Sequence, residues 1–384
     1  MAGVCRVKHK AWPSVRLGDV AETYSGGTPT RGVVSYYNGD IPWAKIEDLT
    51  RSGMWIKSTE ETISELGLAN SAAVVYPAGT VLIAMYASIG TSSIAAIPLA
   101  SNQAILGCVC QELLRPEFLW YWFQFKRLEL LSQGRGGTQS NLNAAIMRDL
   151  QIPLPKLSDQ NRIIEHLNLQ TTKWGRVRTA VKIRLDAANR IPTAIAAESL
   201  KSTKTSKHLL RECLIEVKQG VGQDWQHYPV MGATRQGLAP AKDKVGKNPH
   251  RYKLVDPVTV FYNPMRILLG SIALVDDHDI PGITSPDYVV VKGRPGVLDT
   301  RWFYYWFRSI HGQNLIKSLT RGAVRERILF NRLAKGEIEL PPYEVQLRDS
   351  EAMKLVYPLK AHIMKELSDI EALPAALLRE VFGS

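Results

Sequence analysis

Lysine and arginine are concentrated in one part of this chain, and they are the side chains with the clearest chemical potential. Residues 201–335 contain 22 Lys and Arg against 11 Asp and Glu, whereas residues 1–152 contain 13 against 12. The 384 residues together carry a formal net charge of +12. A segment this basic suits a polyanion, and nucleic acid is the commonest polyanion in a cell. The alternative interpretation is an ordinary solvated basic surface.

Four closely spaced cations in the basic segment are candidates for contacts with DNA phosphates. Clustered Lys and Arg give an affinity that does not depend on base sequence and that falls steeply with salt. We predict this role for Lys242, Lys244, Lys247 and Arg251. Each of them could instead be only solvated.

A second set of side chains could form hydrogen bonds with base edges in a DNA groove. The candidates able to make paired hydrogen bonds are Gln139 and Asn141 in the first half and Arg266, Arg321 and Arg325 in the second. Recognition residues concentrate on loops and turns. On that ground the further candidates in the first half are Thr28, Lys45, Tyr86 and Ser88. For every residue of this set, the alternative role is hydrogen bonding that stabilises its own loop.

Catalytic signatures are incomplete along the chain. Residues 263–266 read NPMR, which lacks the second proline and the aromatic residue of an aminomethyltransferase motif. Asp287 and Lys292 are spaced as in a nuclease site, but Val290 stands where that site needs its second metal-binding carboxylate. No glycine-rich phosphate loop occurs, and the His and Cys residues show no metal-ligand spacing. We therefore predict a non-catalytic chain with no metal site and no cofactor of its own.

Short strand-like runs broken by Gly and Pro must position the candidate side chains. These runs lie at 41–46, 72–76 and 79–86, and an aromatic-rich helix is expected at 118–131. The second half repeats the plan, since TVF at 259–261 corresponds to TVL at 80–82, and YWF occurs at both 121–123 and 305–307. The uncharged stretch 70–111 is divided by Gly and Pro into pieces too short to cross a membrane. We predict an α+β fold with two mixed, β-rich domains in tandem, at residues 1–152 and 203–337.

A helical arm follows each predicted domain, at residues 153–202 and 338–384. The arm openings, IPLPKLSDQ at 152–160 and IELPPYEVQ at 338–346, match at an offset of 186. Apolar residues then recur with the four- and three-residue steps of a coiled coil. These positions are Ile163, Leu167, Trp174, Val177 and Val181 in the first arm and Val356, Ile363, Leu367 and Ile370 in the second. We predict that the arms pack on each other; the alternative is two amphipathic helices, each packed on its own domain.

A series of short motifs runs through the first half in a fixed order. They are LGDV at 17–20, GGTP at 26–29, GDIPW at 39–43, SNQ at 101–103, GTQ at 137–139 and IPLP at 152–155. In this order they resemble the specificity subunits of type I restriction-modification enzymes. The second half departs from the pattern, because it lacks a GGTP turn and carries SPD at 285–287 in place of the Asn-Gln pair.

The resemblance implies a function and a set of partners. Each domain would read one half of a split, asymmetric site on double-stranded DNA. The arms would pair as an antiparallel coiled coil and dock two methyltransferase subunits, which motor-nuclease subunits would join. S-adenosylmethionine, ATP and Mg would be bound by those partners. Arms of about 30 residues would span about 45 Å, enough to hold two DNA modules one helical turn, about 34 Å, apart.

Two other functions remain open at this stage. The chain could be the recognition subunit of a type II-like or solitary DNA modification system, or, more distantly, a stand-alone DNA-modifying enzyme. The cysteine usage and the lack of a signal-peptide pattern near the N-terminus lead us to expect a cytoplasmic protein.

Overall fold

The chain forms two compact units, seen in a computed structural model that describes residues 12–133, 142–241, 245–320 and 327–383. The first unit comprises Met1–Thr179 and Ser368–Ser384, and the second comprises Ala180–Leu367. Each unit therefore takes in one globular part and a portion of both arms. The predicted boundaries at 152, 202 and 337 divide the chain in sequence order and do not coincide with these packed units.

The first unit is built on two sheets and a strand pair. Its described strands are β1 (Ser14–Arg16), β2 (Ala21–Ser25), β3 (Tyr37–Ala44), β4 (Trp55–Ile56), β5 (Glu61–Ile63), β6 (Val81–Ala84), β7 (Ser92–Ala95), β8 (Ala100–Ser101), β9 (Ile105–Cys110) and β10 (Gln151–Pro153). The strand orders are β2-β9-β6-β7-β4, β5-β3-β8 and β1-β10. Its helices are α1 (Ile46–Ser52), α2 (Glu65–Ala69), α3 (Pro116–Gln133) and α4 (Ala144–Asp149), with 3-10 turns at Leu17–Asp19 and Val34–Tyr36.

The apolar runs of the first unit explain where its core sits. All four residues of β6 are buried, and this strand lies inside its sheet between β9 and β7. The aromatic helix predicted at 118–131 is confirmed as α3, whose Phe118 and Phe123 are fully buried in the main core. The predicted strand at 72–76 is wrong: it contributes only an isolated bridge from Tyr76 to Leu99.

The second unit repeats the strand order of the first. Its described strands are β11 (Ser206–Leu209), β12 (Leu214–Glu216), β13 (Met231–Thr234), β14 (Gly237–Pro240), β15 (Lys253–Val255), β16 (Thr259–Tyr262), β17 (Ile272–Val275), β18 (Gly282–Thr284), β19 (Val289–Gly293) and β20 (Glu337–Leu340). The order β12-β19-β16-β17 corresponds to β2-β9-β6-β7, and the pair β11-β20 corresponds to β1-β10. Pairs β13-β14 and β15-β18 complete it. The predicted α+β class and the internal repeat are confirmed.

Helices cover the second unit in the same manner. They are α6 (Leu210–Cys213), α7 (Thr300–Arg308), α8 (Ile310–Leu319) and α9 (Phe330–Leu333), with 3-10 turns at Gly222–His227, Pro249–Arg251 and Ile267–Leu269. Helix α7 stands where α3 stands in the first unit, and its Trp302, Phe303 and Phe307 are fully buried.

Long helices form the two arms. Helix α5 (Leu157–Ser202) is a single helix of 46 residues that runs through Pro192 and lies within the arm predicted at 153–202. It is about 69 Å long, which exceeds the span of about 45 Å expected from 30 residues. The second arm consists of α10 (Tyr343–Lys354) and α11 (Val356–Phe382). The helix is interrupted at Leu355 because Pro358 has no amide N–H to donate to the Lys354 carbonyl. None of the described helices combines the length and apolar character needed to cross a membrane.

In the first unit the two arms pack antiparallel. The start of α5 and the end of α11 share the main core, through Ile163 and Leu167 on one side and Val381 and Phe382 on the other. The Phe382 ring packs against the rings of Phe118, Phe125 and Trp12, with centroids 5.4, 5.7 and 6.5 Å apart. Further along, Arg178 forms an ion pair with Glu371 at 2.9 Å.

In the second unit the same antiparallel pairing occurs between the other portions of the arms. Ala196 of α5 and Met353 of α10 are buried in one core, and Arg184 pairs with Glu366 at 3.0 Å. The Trp302 indole N–H donates to the Ser199 hydroxyl at 3.3 Å. Each core thus contains residues from both arms, which excludes the alternative of two arms packed only on their own domains.

The predicted apolar stripe is only partly buried. The buried members are Ile163, Leu167, Val181, Val356 and Ile363, and the half-buried members are Trp174, Leu367 and Ile370. Val177 departs from the prediction, since 46% of it is exposed. A straight α-helix drifts about 20° per heptad from a 3.5-residue repeat, so a position two heptads after Ile163 turns away from the buried side.

A buried ion pair ties the second arm to the second unit. The Arg301 side chain, 3% exposed, donates from Nε to Asp276 Oδ1 at 2.9 Å. The same guanidinium donates from Nη1 to the Ser350 hydroxyl of α10 at 3.1 Å. Lys354 of α10 pairs with Asp277 at 3.0 Å. Charged groups therefore attach α10 to the second unit. In the first unit, by contrast, aromatic rings attach the end of α11.

Candidate nucleic-acid interface

Three of the sequence motifs meet at one junction in the first unit. The Gly27 N–H donates to the Ser101 carbonyl at 2.9 Å, and the Trp43 indole N–H donates to the Gly27 carbonyl at 3.0 Å. A Cβ on Gly26 would lie 2.4 Å from the Ser101 carbonyl oxygen, and one on Gly27 would lie 2.2 Å from the Ala73 nitrogen. The turn therefore requires two glycines because backbone packs directly against backbone.

Five polar side chains lie on this junction, and we call them the Thr28 cluster: Thr28, Arg31, Lys45, Glu61 and Gln103. The Thr28 hydroxyl donates to Gln103 Oε1. Lys45 Nζ and Arg31 Nη1 both bind the Glu61 carboxylate, at 2.5 and 2.8 Å. The structure thus brings together two predicted contact residues, Thr28 and Lys45, with three that were not predicted.

In the Thr28 cluster, the negative charge of Glu61 partly balances the positive charges of Lys45 and Arg31. The hydrogen bond from Lys45 lowers the pKa of Glu61 against the opposing effect of burial, and Arg31 lowers it further. The same hydrogen bond raises the pKa of Lys45. Arg31 also lies over the Trp43 ring, 5.1 Å from its centroid. Lys45 is therefore held by a carboxylate, and the Gln103 amide, oriented by Thr28, is the group of this cluster best suited to pair with a base edge.

Tyr86 and Ser88 lie in the loop 85–91 between β6 and β7. Tyr86 is half-buried and packs against the main core, and the Ser88 carbonyl accepts the Thr91 N–H at 3.0 Å. Ala87 between them has a φ of +54°. The hydrogen bond of Ser88 uses only its backbone, and Tyr86 contributes to the core, so a contact of either side chain with DNA stays a prediction.

Three predicted contact residues of the second unit are exposed on 3-10 turns. Lys247 and Arg251 lie just before and at the end of the turn Pro249–Arg251, and Arg266 caps the turn Ile267–Leu269. The other predicted contacts, Gln139, Asn141, Lys242, Lys244, Arg321 and Arg325, lie outside the described residues. Where the description resumes, the Ile328 N–H donates to the Pro264 carbonyl at 3.1 Å.

A cavity of about 410 Å³ in the second unit collects three cations that sequence reasoning missed. We call it the basic cleft; it lies between the turn Ile267–Leu269 and α8, and Arg235, Arg308 and Lys317 line it. These residues are up to 82 positions apart in the chain. The available signal was the turn TRQG at 234–237, which exposes Arg235 at the tip of the β13-β14 hairpin.

The residues of the two incomplete enzyme motifs form ion pairs and hydrogen bonds within the fold. Lys292 pairs with Asp256 at 2.7 Å, whereas Asp287 pairs with Arg327 at 3.3 Å, so the two nuclease-like residues belong to separate ion pairs. Asn263 Oδ1 accepts the Met265 N–H at 3.0 Å and closes the NPMR turn. Among the residues that the structure describes, no group of three His, Cys, Asp or Glu side chains could hold a metal ion.

Comparison with known sequences finds similarity to specificity subunits of type I restriction enzymes. The family model "Type I restriction modification DNA specificity domain" matches residues 9–169. The MjaIX specificity subunit of Methanocaldococcus jannaschii is 31% identical over 40% of this chain and 36% of its own length. The EcoR124I/EcoR124II specificity subunit of Escherichia coli is 25% identical over 40% of this chain and 39% of its own length. The matched part thus spans little more than a third of these relatives.

Comparison with solved structures extends the likeness to the fold of nearly the whole chain. A chain from the work described as "Structural basis underlying complex assembly and conformational transition of the type I R-M system" covers 97% of this chain, and 97% of that chain is covered, with a TM-score of 0.69 and 18% identity. The HsdS subunit of Thermoanaerobacter tengcongensis covers 99% in both directions with a TM-score of 0.51 and 18% identity. Residues 9–169 therefore resemble the DNA specificity domain of type I restriction-modification systems, and nearly the whole chain shares its fold with the two solved chains.

Proposed function

We propose that this chain is the DNA-recognition subunit of a type I restriction-modification complex and that each of its units reads one half of a bipartite, asymmetric site. The observation that carries this proposal is the repeated strand order with unlike polar surfaces. The first unit presents the Thr28 cluster, and the second presents the basic cleft with Arg266 beside it. One scaffold with two different sets of hydrogen-bonding groups suits two different half-sites.

The arms supply the surface on which two methyltransferase subunits dock, with motor-nuclease subunits joining through them. Both arms keep large apolar side chains exposed although they pack on each other; these are Leu169 and Ile183 on α5 and Tyr357 and Met364 on α11. Exposed apolar groups on paired helices fit a protein partner. The chain itself contributes recognition and no catalysis, the partners bind S-adenosylmethionine, ATP and Mg, and the complex acts in the cytoplasm.

Mapping methylated adenines tests the proposal directly. The chain is produced in a host together with a candidate methyltransferase subunit from the same source, and N6-methyladenine is located by sequencing. We expect a single motif made of two short parts separated by several unread base pairs. Methylation that continues at the same motif without this chain would remove its role in recognition.

Two experiments separate the proposal from its alternatives. The purified chain, incubated with DNA and S-adenosylmethionine, should transfer no methyl groups; transfer would identify a stand-alone DNA-modifying enzyme. A neighbouring gene for a helicase-nuclease indicates a type I complex. A methyltransferase gene without that neighbour indicates a type II-like or solitary modification system.

A further inference from the structure

The basic cleft combines a cationic rim with apolar walls. Arg235, Arg308 and Lys317 supply the charge, and no Asp or Glu belongs to its described lining. Ile267, Ile272, Phe307 and Ile316 supply apolar surface, and the side chains of Leu268 and Leu269 at its edge are 43% and 68% exposed. A cavity of this composition favours an anion that carries an apolar portion over a free inorganic ion.

Arg308 is the fixed cation of the cleft. Its Nη1 donates to the Ile272 carbonyl at 2.8 Å and its Nη2 donates to the Arg235 carbonyl at 2.5 Å. Its guanidinium also lies over the Tyr304 ring, 5.4 Å from the centroid. Both hydrogen-bond partners are neutral carbonyls, so the positive charge of Arg308 is held in place and is not neutralised by them.

A further cation stands close to Arg308. Lys360 of α11 is half-buried, and burial followed by the nearby charge of Arg308 lowers its pKa. Like charges gathered at one place raise the local positive potential and favour a bound anion.

The first unit carries a neutral residue at the equivalent position. Gln124 of α3 precedes Arg308 by the 184 residues that separate the repeated YWF sequences. Its Nε2 donates to the Ser92 hydroxyl of β7 at 2.9 Å, much as Arg308 donates to Ile272 of the corresponding strand β17. The helix-to-strand hydrogen bond is thus common to both units, but the residue that makes it is charged only in the second. The first unit places a different cation nearby, since Arg127 of α3 donates to the Thr91 hydroxyl at 3.3 Å.

The cleft lies next to Arg266, one of the predicted base-reading residues. The turn Ile267–Leu269 lines the cleft, and Arg266 is the residue that caps this turn. A ligand in the cleft would therefore sit at the edge of the face that carries Arg266.

We propose that the basic cleft of the second unit binds a backbone phosphodiester of the DNA, with Arg308 as the anchoring cation and Arg235 and Lys317 as its mobile partners. This inference rests on the proposed function and names the contact that holds the second half-site. The deoxyribose of the bound nucleotide packs on the apolar walls. The first unit, with Gln124 in place of Arg308, lacks this contact, so the second unit supplies the larger share of the affinity that does not depend on base sequence.

The test measures how DNA affinity depends on salt, using the chain assembled with its methyltransferase subunits. Fluorescence anisotropy is recorded at several salt concentrations with a duplex carrying the mapped site and with an unrelated duplex. For the double variant Arg235→Gln and Lys317→Gln, we expect the slope of log affinity against log salt to become shallower by about 1, the contribution of one neutralised phosphate, on both duplexes alike. Arg308→Gln should make it shallower by about 1 without unfolding the unit, because glutamine serves at that position in the first unit.

A matched control removes two lysines of the second unit that do not line the cleft. Lys207→Gln with Lys218→Gln lowers the net charge by the same amount and should leave the slope unchanged. An unchanged slope in the cleft variants, or an equal change in the control, overturns the proposal. A further result also overturns the proposal. Inorganic phosphate could raise the thermal unfolding midpoint of the wild type but not of the cleft variants, while the salt slopes of these variants equal the wild-type slope. The cleft would then bind a small anion and not DNA.

A different result would contradict the proposed function of the chain in sequence recognition. An assembly that shows no preference for the mapped site over the unrelated duplex would contradict sequence recognition, whereas the slope measured on the unrelated duplex still decides whether the cleft holds a phosphate.

Discussion

Gln160 and Gln346 make the same three hydrogen bonds, one set in each unit. Each buried side chain donates from Nε2 to two backbone carbonyls and accepts one backbone N–H at Oε1. The partners, at 2.8 to 3.1 Å, are Leu113, Pro155 and Arg115 for Gln160, and Val297, Pro341 and Asp299 for Gln346. One glutamine thus joins the opening of an arm to the start of the aromatic helix, and the offset of 186 between them reflects a repeated joint.

Removing this joint should destabilise the unit that contains it. Gln160→Met keeps the volume of the side chain but leaves two carbonyls and one N–H without partners in a buried place. We expect a loss of about 2–4 kcal/mol in the free energy of unfolding, measured by urea denaturation. Gln111→Met, at an exposed position of the same unit, is the control and should change little. Equal losses in the two variants would show that the hydrogen bonds of Gln160 contribute nothing.

Leu167 and Leu169 offer a matched pair on α5. Leu167 is 1% exposed in the main core, whereas Leu169 is 52% exposed. Leu167→Ala should cost about 2–5 kcal/mol of unfolding free energy, because it removes buried methyl groups and leaves a cavity, and Leu169→Ala should cost far less. Charged substitutions at Ile163 or Leu167 would accordingly report on folding, so docking of methyltransferase subunits is better tested at Leu169. A larger loss for Leu169→Ala in denaturation would contradict the described packing.

Glu61 should make the first unit sensitive to acid. Its pKa is lowered by the hydrogen bonds from Lys45 and Arg31. A carboxyl of this kind adds stability above its unfolded pKa of about 4.3, and this stability is lost as pH falls through the lower folded value. Wild-type protein should therefore lose stability more steeply below about pH 4–5 than Glu61→Gln does. Glu60→Gln removes an equal charge from the neighbouring position and should follow the wild-type pH profile in thermal unfolding.

Arg266 and Arg251 should affect DNA binding in different ways. If Arg266 reads a base, Arg266→Ala costs about 1–3 kcal/mol of binding free energy and relaxes one position of the site. If Arg251 contacts a phosphate, Arg251→Ala weakens binding to all sequences alike. Binding measured on a panel of single-base variants of the mapped site distinguishes the two. A uniform loss with Arg266→Ala would reassign it to the backbone.

The repeat and the joints could be predicted from sequence because they depend on local patterns. Matching segments at one offset identified both glutamines, and coiled-coil spacing identified Ile163, Val181 and Ile363 as buried. Val177 is 46% exposed, because a 3.5-residue spacing does not follow a straight helix over several turns; its part in subunit docking stays a prediction. Pro192 would ordinarily suggest the end of a helix, yet α5 continues through it.

The candidate interface was harder to predict because its residues come from distant parts of the chain. Arg31 and Glu61 join Lys45 only after β3 and β5 pair. Arg235, Arg308 and Lys317 meet through a hairpin tip and two helices, and nothing in their local sequence marks them as neighbours. Nothing in the sequence near Lys45 indicates an ion-pair partner. In the structure, Lys45 forms an ion pair with the Glu61 carboxylate, 16 residues further along the chain.

The different ties between arm and unit have a consequence for how the protein responds to its surroundings. In the first unit, the end of α11 packs through the Phe382 ring against other aromatic rings. In the second unit, α10 is bound through Arg301 and Lys354. Apolar attraction weakens on cooling, whereas ionic contacts that are partly open to solvent weaken as salt is added. Lowering the temperature should thus weaken the packing of α11 at Phe382 first. Raising the salt concentration should first weaken the attachment of α10, at the more exposed ion pair of Lys354 with Asp277.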